Sequence, residues 1–180
     1  MNDTELKIGG LGGQGVILTG IIIGKAATLY DEKHATMIQS FGPEARGSAC
    51  STQLILSETP ILYPYVTRPY ILMVMSQDAF NKFYPEMNPE GHLLIEAELV
   101  NPQGVNPKTK VDLISATRIA EELGRRLIVN IVMLGFFAAR TNLLNPESIR
   151  KAVLDSVPTG TEELNLKAYD KGFQYGQQLQ

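Results

Sequence analysis

Cysteine is nearly absent from this sequence of 180 residues, and the shortage excludes several kinds of chemistry. Cys50 stands alone, so no disulfide can form within the chain. A single thiolate is also too few to hold an iron–sulfur cluster. Any iron–sulfur centre that works with this protein must therefore be carried by another chain.

Blocks of like charge and long apolar runs are missing as well. The 16 basic and 19 acidic residues are dispersed and give a net charge of -3, so no basic patch for nucleic acid or an anionic membrane is predicted. No apolar run approaches the roughly 20 residues of a membrane helix, and the first residues lack the pattern of a targeting signal. We expect a cytoplasmic protein that binds neither nucleic acid nor membrane and folds as a single domain over residues 1–180.

Strand-like and helix-like segments alternate along the chain. Strands are predicted at 6–9, 35–41, 49–56, 70–75, 92–95 and 111–114, and helices at 16–30, from about 76, at 116–123, 127–139 and 149–157, and from 161. The loop between strands 35–41 and 49–56 is too short for a crossover, so that pair is expected to be antiparallel. The pattern predicts an α/β protein, a Rossmann-like three-layer α/β/α fold with a mixed, mostly parallel sheet. Ser115 and Asn145 are the expected N-caps of the helices that follow them.

The first loop carries a glycine-rich motif. Gly10, Gly12 and Gly15 satisfy G-x-G-x-x-G between a predicted strand and a predicted helix. Glycine permits positive φ and close approach of a ligand, and the free N–H groups at a helix start favour phosphate. Gly13 adds backbone flexibility to the loop, and Gln14 adds a long side chain that ends in an amide. The loop is a candidate diphosphate site. There are two alternatives: it forms a tight turn against a neighbouring chain, or it forms a turn that only packs the helix on the sheet.

A dinucleotide site would also need an acidic residue at the end of the second strand, to bind the ribose hydroxyls. Asp31 and Glu32 precede that strand, and Ser40 and Phe41 end it. The mismatch disfavours nicotinamide cofactors. A free-standing NAD(P)-dependent enzyme stays an alternative.

A second loop, from Gln39 to Gly47, is expected to leave the second strand at the same sheet edge as the glycine-rich loop. Arg46 offers a bidentate donor to phosphate or carboxylate, and Glu44 can hold Arg46 in place or pair with a cation of a partner chain. The alternative is a solvated pair worth less than about 1 kcal/mol.

The two motifs in this order resemble the gamma subunits of 2-oxoacid:ferredoxin oxidoreductases. The resemblance rests on Gly10-Leu-Gly-Gly-Gln-Gly15, Gln39-Ser-Phe-Gly-Pro-Glu-Ala-Arg-Gly-Ser-Ala49, Tyr63-Pro64, Met75-Ser76-Gln77 and Asn130-Ile-Val-Met-Leu-Gly135, and so extends over most of the chain. The sequence of residues 42–47 resembles the gamma subunits of the 2-oxoglutarate enzymes more than those of the pyruvate enzymes. Branched-chain and indolepyruvate enzymes have related subunits, so the 2-oxoacid stays open.

The resemblance implies a subunit that joins alpha, beta and usually delta chains to decarboxylate a 2-oxoacid oxidatively, form an acyl-coenzyme A and reduce ferredoxin. Thiamine diphosphate and iron–sulfur clusters are then expected on the partners. The matching domain of the fused pyruvate enzymes, domain III, is associated with coenzyme A. By the resemblance, the candidates for lining the coenzyme A path or the subunit interface are Gly10, Gly12, Gly13, Gln14, Gly15, Ser40, Gly42, Pro43, Glu44, Arg46 and Gly47.

No catalytic or metal-binding residue is predicted in this chain, and the isolated subunit is expected to be inactive and free to pair with a second copy. A purely structural assembly role is a further alternative. His34 and His92 lack companions at ligand spacing, and Cys50 is expected to act as a small hydrophobic residue. Asn130 differs, because an amide in an apolar helix must find a partner, so it is predicted to tie its helix to a neighbouring loop or chain.

Overall fold

The computed structural model of the protein describes residues 3–41 and 49–179. Within those ranges one sheet has six strands in the order β2-β3-β1-β4-β5-β6. The strands are β1 (Thr4–Leu11), β2 (His34–Ser40), β3 (Ala49–Ser57), β4 (Ile71–Val74), β5 (His92–Glu96) and β6 (Lys110–Ile114).

The sheet is mixed, as the sequence predicts. β3 runs antiparallel to both β1 and β2, whereas β1, β4, β5 and β6 are parallel neighbours. Every residue of β4 and β5 is buried, which suits parallel strands that are covered on both faces. β1 therefore stands between an antiparallel half and a parallel half of the sheet.

Helices cover both faces and complete the predicted three layers. The helices are α1 (Val16–Lys25), α2 (Gln77–Phe83), α3 (Ala116–Glu122), α4 (Val129–Thr141), α5 (Pro146–Leu154) and α6 (Glu162–Gln178). α2 packs on one face around a small apolar cluster, and the others share the larger core on the opposite face. In the two described ranges, no helix has the length and apolar character to span a bilayer.

The first helix differs from its prediction near its end. α1 stops at Lys25, and residues Ala26–Tyr30 form a π-helical turn rather than continuing the α-helix. The N–H of Asp31 donates to the carbonyl of Ala26, five residues earlier, at 3.0 Å. The hydroxyl of Thr28 donates to the carbonyl of Gly24 at 2.9 Å, a side-chain bond of the kind that competes with regular helix bonding.

One predicted cap is confirmed and one is wrong. Asn145 Oδ1 accepts from the N–H of Glu147 at 3.0 Å and starts α5 at Pro146. Ser115 makes no side-chain cap of α3, because its backbone is not extended there. The carboxylate of Glu96, at the end of β5, accepts from the N–H of Thr117 at 3.0 Å instead.

α4 is the core helix that its sequence predicts, with residues 129–138 all buried. It crosses α6 so closely that their backbones are in contact. A Cβ atom on Gly135 would lie 2.0 Å from the carbonyl oxygen of Tyr169, and one on Gly172 would lie 2.0 Å from the carbonyl oxygen of Val132. Glycine at both positions therefore sets how far α4 can approach α6, and with it the position of α4 against the sheet.

A buried ionic network joins the parallel half of the sheet to the same helices. Asp112 on β6 accepts from Arg140 Nε at 2.8 Å and Nη2 at 3.1 Å, and pairs with His92 Nε2 at 2.7 Å. Burial lowers the pKa of His92, which favours the neutral ring. Burial alone would raise the pKa of Asp112, but the hydrogen bonds from Arg140 and His92 outweigh it and lower that pKa. His92 is thus a structural residue of this network.

We predict that the two helical glycines Gly135 and Gly24 respond oppositely to the same substitution. Gly135→Ala should lower the free energy of unfolding by at least about 2 kcal/mol, because the new methyl group overlaps the backbone of α6. Gly24→Ala should raise it by about 0.5–1 kcal/mol, since its Cβ would meet only Leu54 at an ordinary 3.8 Å. Urea denaturation followed by circular dichroism measures both. A Gly135→Ala variant as stable as the wild type would contradict the close crossing.

Candidate functional site

The chain changes direction across the sheet between β1 and β4. After β1 it passes through α1 to β2 on one side, and after β4 it passes through α2 to β5 on the other. In α/β sheets the crevice outside the carboxyl ends of such a pair is the usual ligand site. Here it contains a cavity of about 140 Å³, which we call the Gly-loop crevice; its lining residues are Gly13, Gln14, Leu99, Thr117, Arg126, Leu127 and Val129.

Two glycines shape the loop for different reasons. Gly15 is the N-cap of α1 with φ 73°, and a Cβ atom there would lie 2.5 Å from Nδ2 of Asn130. Gly13 has φ 96°, and a Cβ atom there would meet nothing within 4 Å. Gly15 is therefore required by packing as well as by conformation, whereas Gly13 presents open backbone to the crevice.

Asn130, which the sequence predicts to tie its helix to a neighbouring loop or chain, contacts the glycine-rich loop. Its side chain is buried in α4, and its Nδ2 lies 3.5 Å from the carbonyl oxygen of Gly15. The same carbonyl accepts from the N–H and the hydroxyl of Thr19, both at 2.9 Å. Asn130 thus ties α4 to the glycine-rich loop, as expected.

The side chain of Gln14 is used inside the protein. Its Oε1 accepts from the N–H of Leu11 at 2.7 Å, and its Nε2 donates to the carbonyl of Met75 at 2.8 Å. A Cβ atom on Gly10 would lie 2.7 Å from Gln14 Oε1, so Gly10 leaves room for this amide. These contacts give Gln14 and Gly10 a positioning role, because they join the loop after β1 to the end of β4.

The start of α1 offers donors to an anion. The first intrahelical bond runs from Thr19 to Gly15, so the N–H groups of Val16, Ile17 and Leu18 precede it. No side chain of the described residues caps this end. Free N–H groups and the helix dipole together favour a negatively charged group.

The opposite wall of the crevice comes from residues that the sequence analysis missed. Thr117 is 4% exposed, and its hydroxyl has no hydrogen-bond partner in the described part of the chain. Arg126 stands on the rim, 3.8 Å from Glu121 and largely exposed. Glu96 accepts from the N–H groups of Leu99 and Thr117 and fixes both segments. Two features of the sequence could have identified this wall of the crevice. One is Glu96, the acidic residue at the end of the apolar strand β5, and the other is Thr117, in the first turn of the helix after β6.

The ends of the second loop lie at the same edge, as predicted. Ser40 pairs with Ser51, which pairs with Gly9 of β1, so Ser40 is two strand spacings away, on the order of 10 Å. Ala49, on the other side of the loop, pairs with Leu11. Five candidates lie outside the described residues, and their roles stay predictions: Gly42, Pro43, Glu44, Arg46 and Gly47.

The acidic residues near β2 do not occupy the position that a dinucleotide site needs. Asp31 Oδ2 accepts from the N–H of Asn145 at 2.7 Å, which commits it to the start of α5. Ser40 is the last residue of β2, and exposed Phe41 follows it. The geometry agrees with the sequence in disfavouring a nicotinamide cofactor here.

Cys50 lies in the core beside α1, and burial raises the pKa of its thiol. The thiol therefore stays protonated near neutral pH, and thiolate is the form that binds metals. Across residues 3–41 and 49–179, no group of three or more His, Cys, Asp and Glu side chains is arranged to hold a metal ion. The described residues do not fit an iron–sulfur cluster.

Comparison with known proteins gives a consistent family. Residues 5–175 match the family described as pyruvate ferredoxin/flavodoxin oxidoreductase. The 2-oxoglutarate synthase subunit KorC of Methanocaldococcus jannaschii is 44% identical over 178 residues, which cover 97% of this chain and 95% of that protein.

Two solved structures share the fold. The gamma subunit of a keto/oxoacid ferredoxin oxidoreductase from Geobacter sulfurreducens PCA superposes with a TM-score of 0.88 at 34% identity, covering 98% of this chain and 97% of that one. The 2-oxoglutarate:ferredoxin oxidoreductase of Magnetococcus marinus, with 2-oxoglutarate, coenzyme A and succinyl-CoA bound, gives a TM-score of 0.90 at 18% identity. It covers all of this chain, which spans 32% of that longer one.

We predict an energetic coupling between Gly15 and Asn130. Gly15→Ala should destabilise the protein by more than the roughly 1–2 kcal/mol of left-handed backbone strain, because its methyl group also overlaps the Asn130 amide. In an Asn130→Ala background the cost should fall by at least about 1 kcal/mol, as a double-mutant cycle in urea measures. Gly13→Ala is the control, since it has positive φ in open space and should not couple to Asn130. Additive effects at positions 15 and 130 would contradict the contact.

Proposed function

The chain belongs to the pyruvate ferredoxin/flavodoxin oxidoreductase family, and from that premise we propose that it is the coenzyme A-binding gamma subunit of a 2-oxoglutarate:ferredoxin oxidoreductase. Members of this family are subunits of oxidoreductases that act on 2-oxoacids with ferredoxin as electron acceptor. The resemblance seen in the sequence is thereby confirmed at the level of family and fold.

The proposed reaction converts 2-oxoglutarate and coenzyme A to succinyl-coenzyme A and carbon dioxide, and passes a pair of electrons to ferredoxin. The choice of 2-oxoglutarate as the substrate is supported by the 44% identity to the archaeal KorC subunit and by the sequence of residues 42–47. The pocket that selects the 2-oxoacid is assigned to the partner chains, because Arg126 is the one cation among the described residues that line the Gly-loop crevice, and it is assigned to the diphosphate.

Thiamine diphosphate and the iron–sulfur clusters belong, in this proposal, to separate alpha, beta and delta subunits in the cytoplasm. This chain has one cysteine, which is buried in its core. Its own contribution is binding and orientation: we assign it no proton transfer and no catalytic residue. Ferredoxin is reached only through those partners.

The observation that carries the coenzyme A assignment is the cavity beside the start of α1 that Gly13, Thr117 and Arg126 line. Open backbone at Gly13, the nearby start of α1 and the Arg126 cation form a set that suits a diphosphate. The coenzyme A bound in the Magnetococcus marinus enzyme supports the same ligand. At about 140 Å³ the cavity is smaller than a complete cofactor site, so this chain is assigned the diphosphate and not the whole molecule.

The second loop is kept as the other part of the proposed site. Arg46 would add a cation for phosphate, and Glu44 would hold Arg46 or contact a partner chain. Ser40 and Ala49 support this, because they place both ends of the loop at the edge where the Gly-loop crevice opens.

We predict that Gly13→Asp in the assembled enzyme raises the KM for coenzyme A at least about tenfold, because a carboxylate in the crevice repels the diphosphate. The KM for 2-oxoglutarate and the yield of complex should not change. Gly104→Asp is the matched control, since Gly104 also has positive φ, 73°, and open surroundings but lies outside the crevice. Steady-state kinetics with reduced ferredoxin as readout measures both KM values for the wild type and for each variant. An unchanged KM for coenzyme A with normal assembly would leave this chain a structural role only.

A further inference from the structure

A short segment of the chain exposes apolar side chains far more than the rest of the protein does. Residues 59–66, which we call the Tyr63 arm, read Thr-Pro-Ile-Leu-Tyr-Pro-Tyr-Val and contain no charged residue. Leu62 is 95% exposed, Tyr63 63% and Tyr65 56%. Single exposed apolar residues are ordinary, but a group of them on one segment is typical of an interface.

The Tyr63 arm is held at both ends. At its start, the N–H of Thr59 donates to the hydroxyl of Ser57 at 3.2 Å. Just after the arm, the Glu5 carboxylate accepts three hydrogen bonds. Two come from Thr67, from its N–H at 2.9 Å and from its hydroxyl at 3.0 Å, and one comes from the N–H of Arg68 at 2.6 Å. Because these bonds fix the stems, a partner that binds the arm has less conformational freedom to remove.

The exposed tip is also preorganised. The rings of Tyr63 and Tyr65 lie with centroids 5.4 Å apart in a tilted contact. Pro60 and Pro64 fix φ at two of the eight positions. Tyrosine is among the residues most enriched at the energetic centre of protein interfaces, because its ring buries a large area and its hydroxyl still finds a partner.

The Tyr63 arm lies at the end of the sheet where the parallel strands begin, and the Gly-loop crevice lies at the opposite end, where they finish. It connects the end of β3 to the start of β4, and both of those points lie at the amino end of β1, where Leu56 pairs with Thr4 and Ile71 with Leu6. The crevice lies at the carboxyl end of β1. The arm therefore has no place in the proposed coenzyme A site, and its exposure needs another explanation.

Resting on the proposed function, we infer that the Tyr63 arm is the docking element for a separate subunit that corresponds to the remainder of the longer Magnetococcus marinus chain. That chain contains this fold within 32% of its length, so the rest is joined to it covalently. The KorC relative from Methanocaldococcus jannaschii, 95% of which is covered by its match to this chain, is named as a subunit, so in that protein the fold belongs to a separate chain. The matching surface on the partner is an apolar groove without counter-charges, with acceptors for two phenol hydroxyls.

The test uses the purified chain and its purified partner subunits, mixed under anaerobic conditions, with the dissociation constant measured by biolayer interferometry. The variant Leu62→Asp/Tyr65→Ser should bind the partner at least about 30-fold more weakly, as expected for the loss of central anchors. Leu29→Asp is the matched control, because Leu29 is 64% exposed on the π-helical turn and is not part of the arm, so its replacement should not change the affinity. Circular dichroism and the thermal midpoint confirm that both variants are folded.

A second readout separates docking from the coenzyme A site. At saturating concentrations of the variant, the KM for coenzyme A should equal that of the wild type, because the crevice is at the other edge of the sheet. Wild-type affinity of the double variant, or equal weakening by Leu29→Asp, would overturn the inference and leave the proposed function intact. Loss of self-association with unchanged partner affinity would identify a second copy as the occupant and also overturn it. Failure of the wild-type chain to bind any partner would refute the proposed function itself.

Discussion

The contact between Gly15 and Asn130 is the constraint on which the site depends. It joins the start of α1 to the buried helix α4, and a side chain at position 15 would overlap the amide. α4 is itself placed by its backbone contact with α6 at Gly135 and Gly172. The geometry of the glycine-rich loop is thus set by helix packing in the core, and the loop presents Gly13 and the first N–H groups of α1 in a fixed position before any ligand arrives.

In the proposals made above, the two ends of the parallel strands have different tasks. At the carboxyl ends of the parallel strands, one crevice is lined by Gly13 after β1, Leu99 after β5, Thr117 of α3 and Arg126 of the turn after α3. At the opposite edge, the Glu5 carboxylate holds the stem of the Tyr63 arm. In the proposed function, a subunit that binds a shared cofactor on one side and docks on the other needs no redox group of its own, which agrees with its single buried cysteine.

The sequence predicted the fold well where local rules decide it. The short connection between β2 and β3 required an antiparallel pair, and the spacing of Gly10, Gly12 and Gly15 between strand and helix identified the loop. It failed where side chains compete with the regular pattern: distant Glu96 caps α3 in place of Ser115, and the local bond of Thr28 to Gly24 accompanies a π-helical turn. Thr117 and Arg126 reach the crevice only through the fold, and the internal bonds of Gln14 could not be read from its position.

Affinity purification of the tagged chain from its native cell extract under anaerobic conditions tests the central claim most directly. The co-purifying proteins would be identified and assayed for ferredoxin reduction with 2-oxoglutarate, pyruvate, ketoisovalerate and indolepyruvate in turn. The proposed function predicts that thiamine- and iron–sulfur-bearing subunits co-purify, with activity that depends on coenzyme A and is highest with 2-oxoglutarate. Recovery of the chain alone, with saturable binding of NAD(P) and no response to coenzyme A, would contradict it.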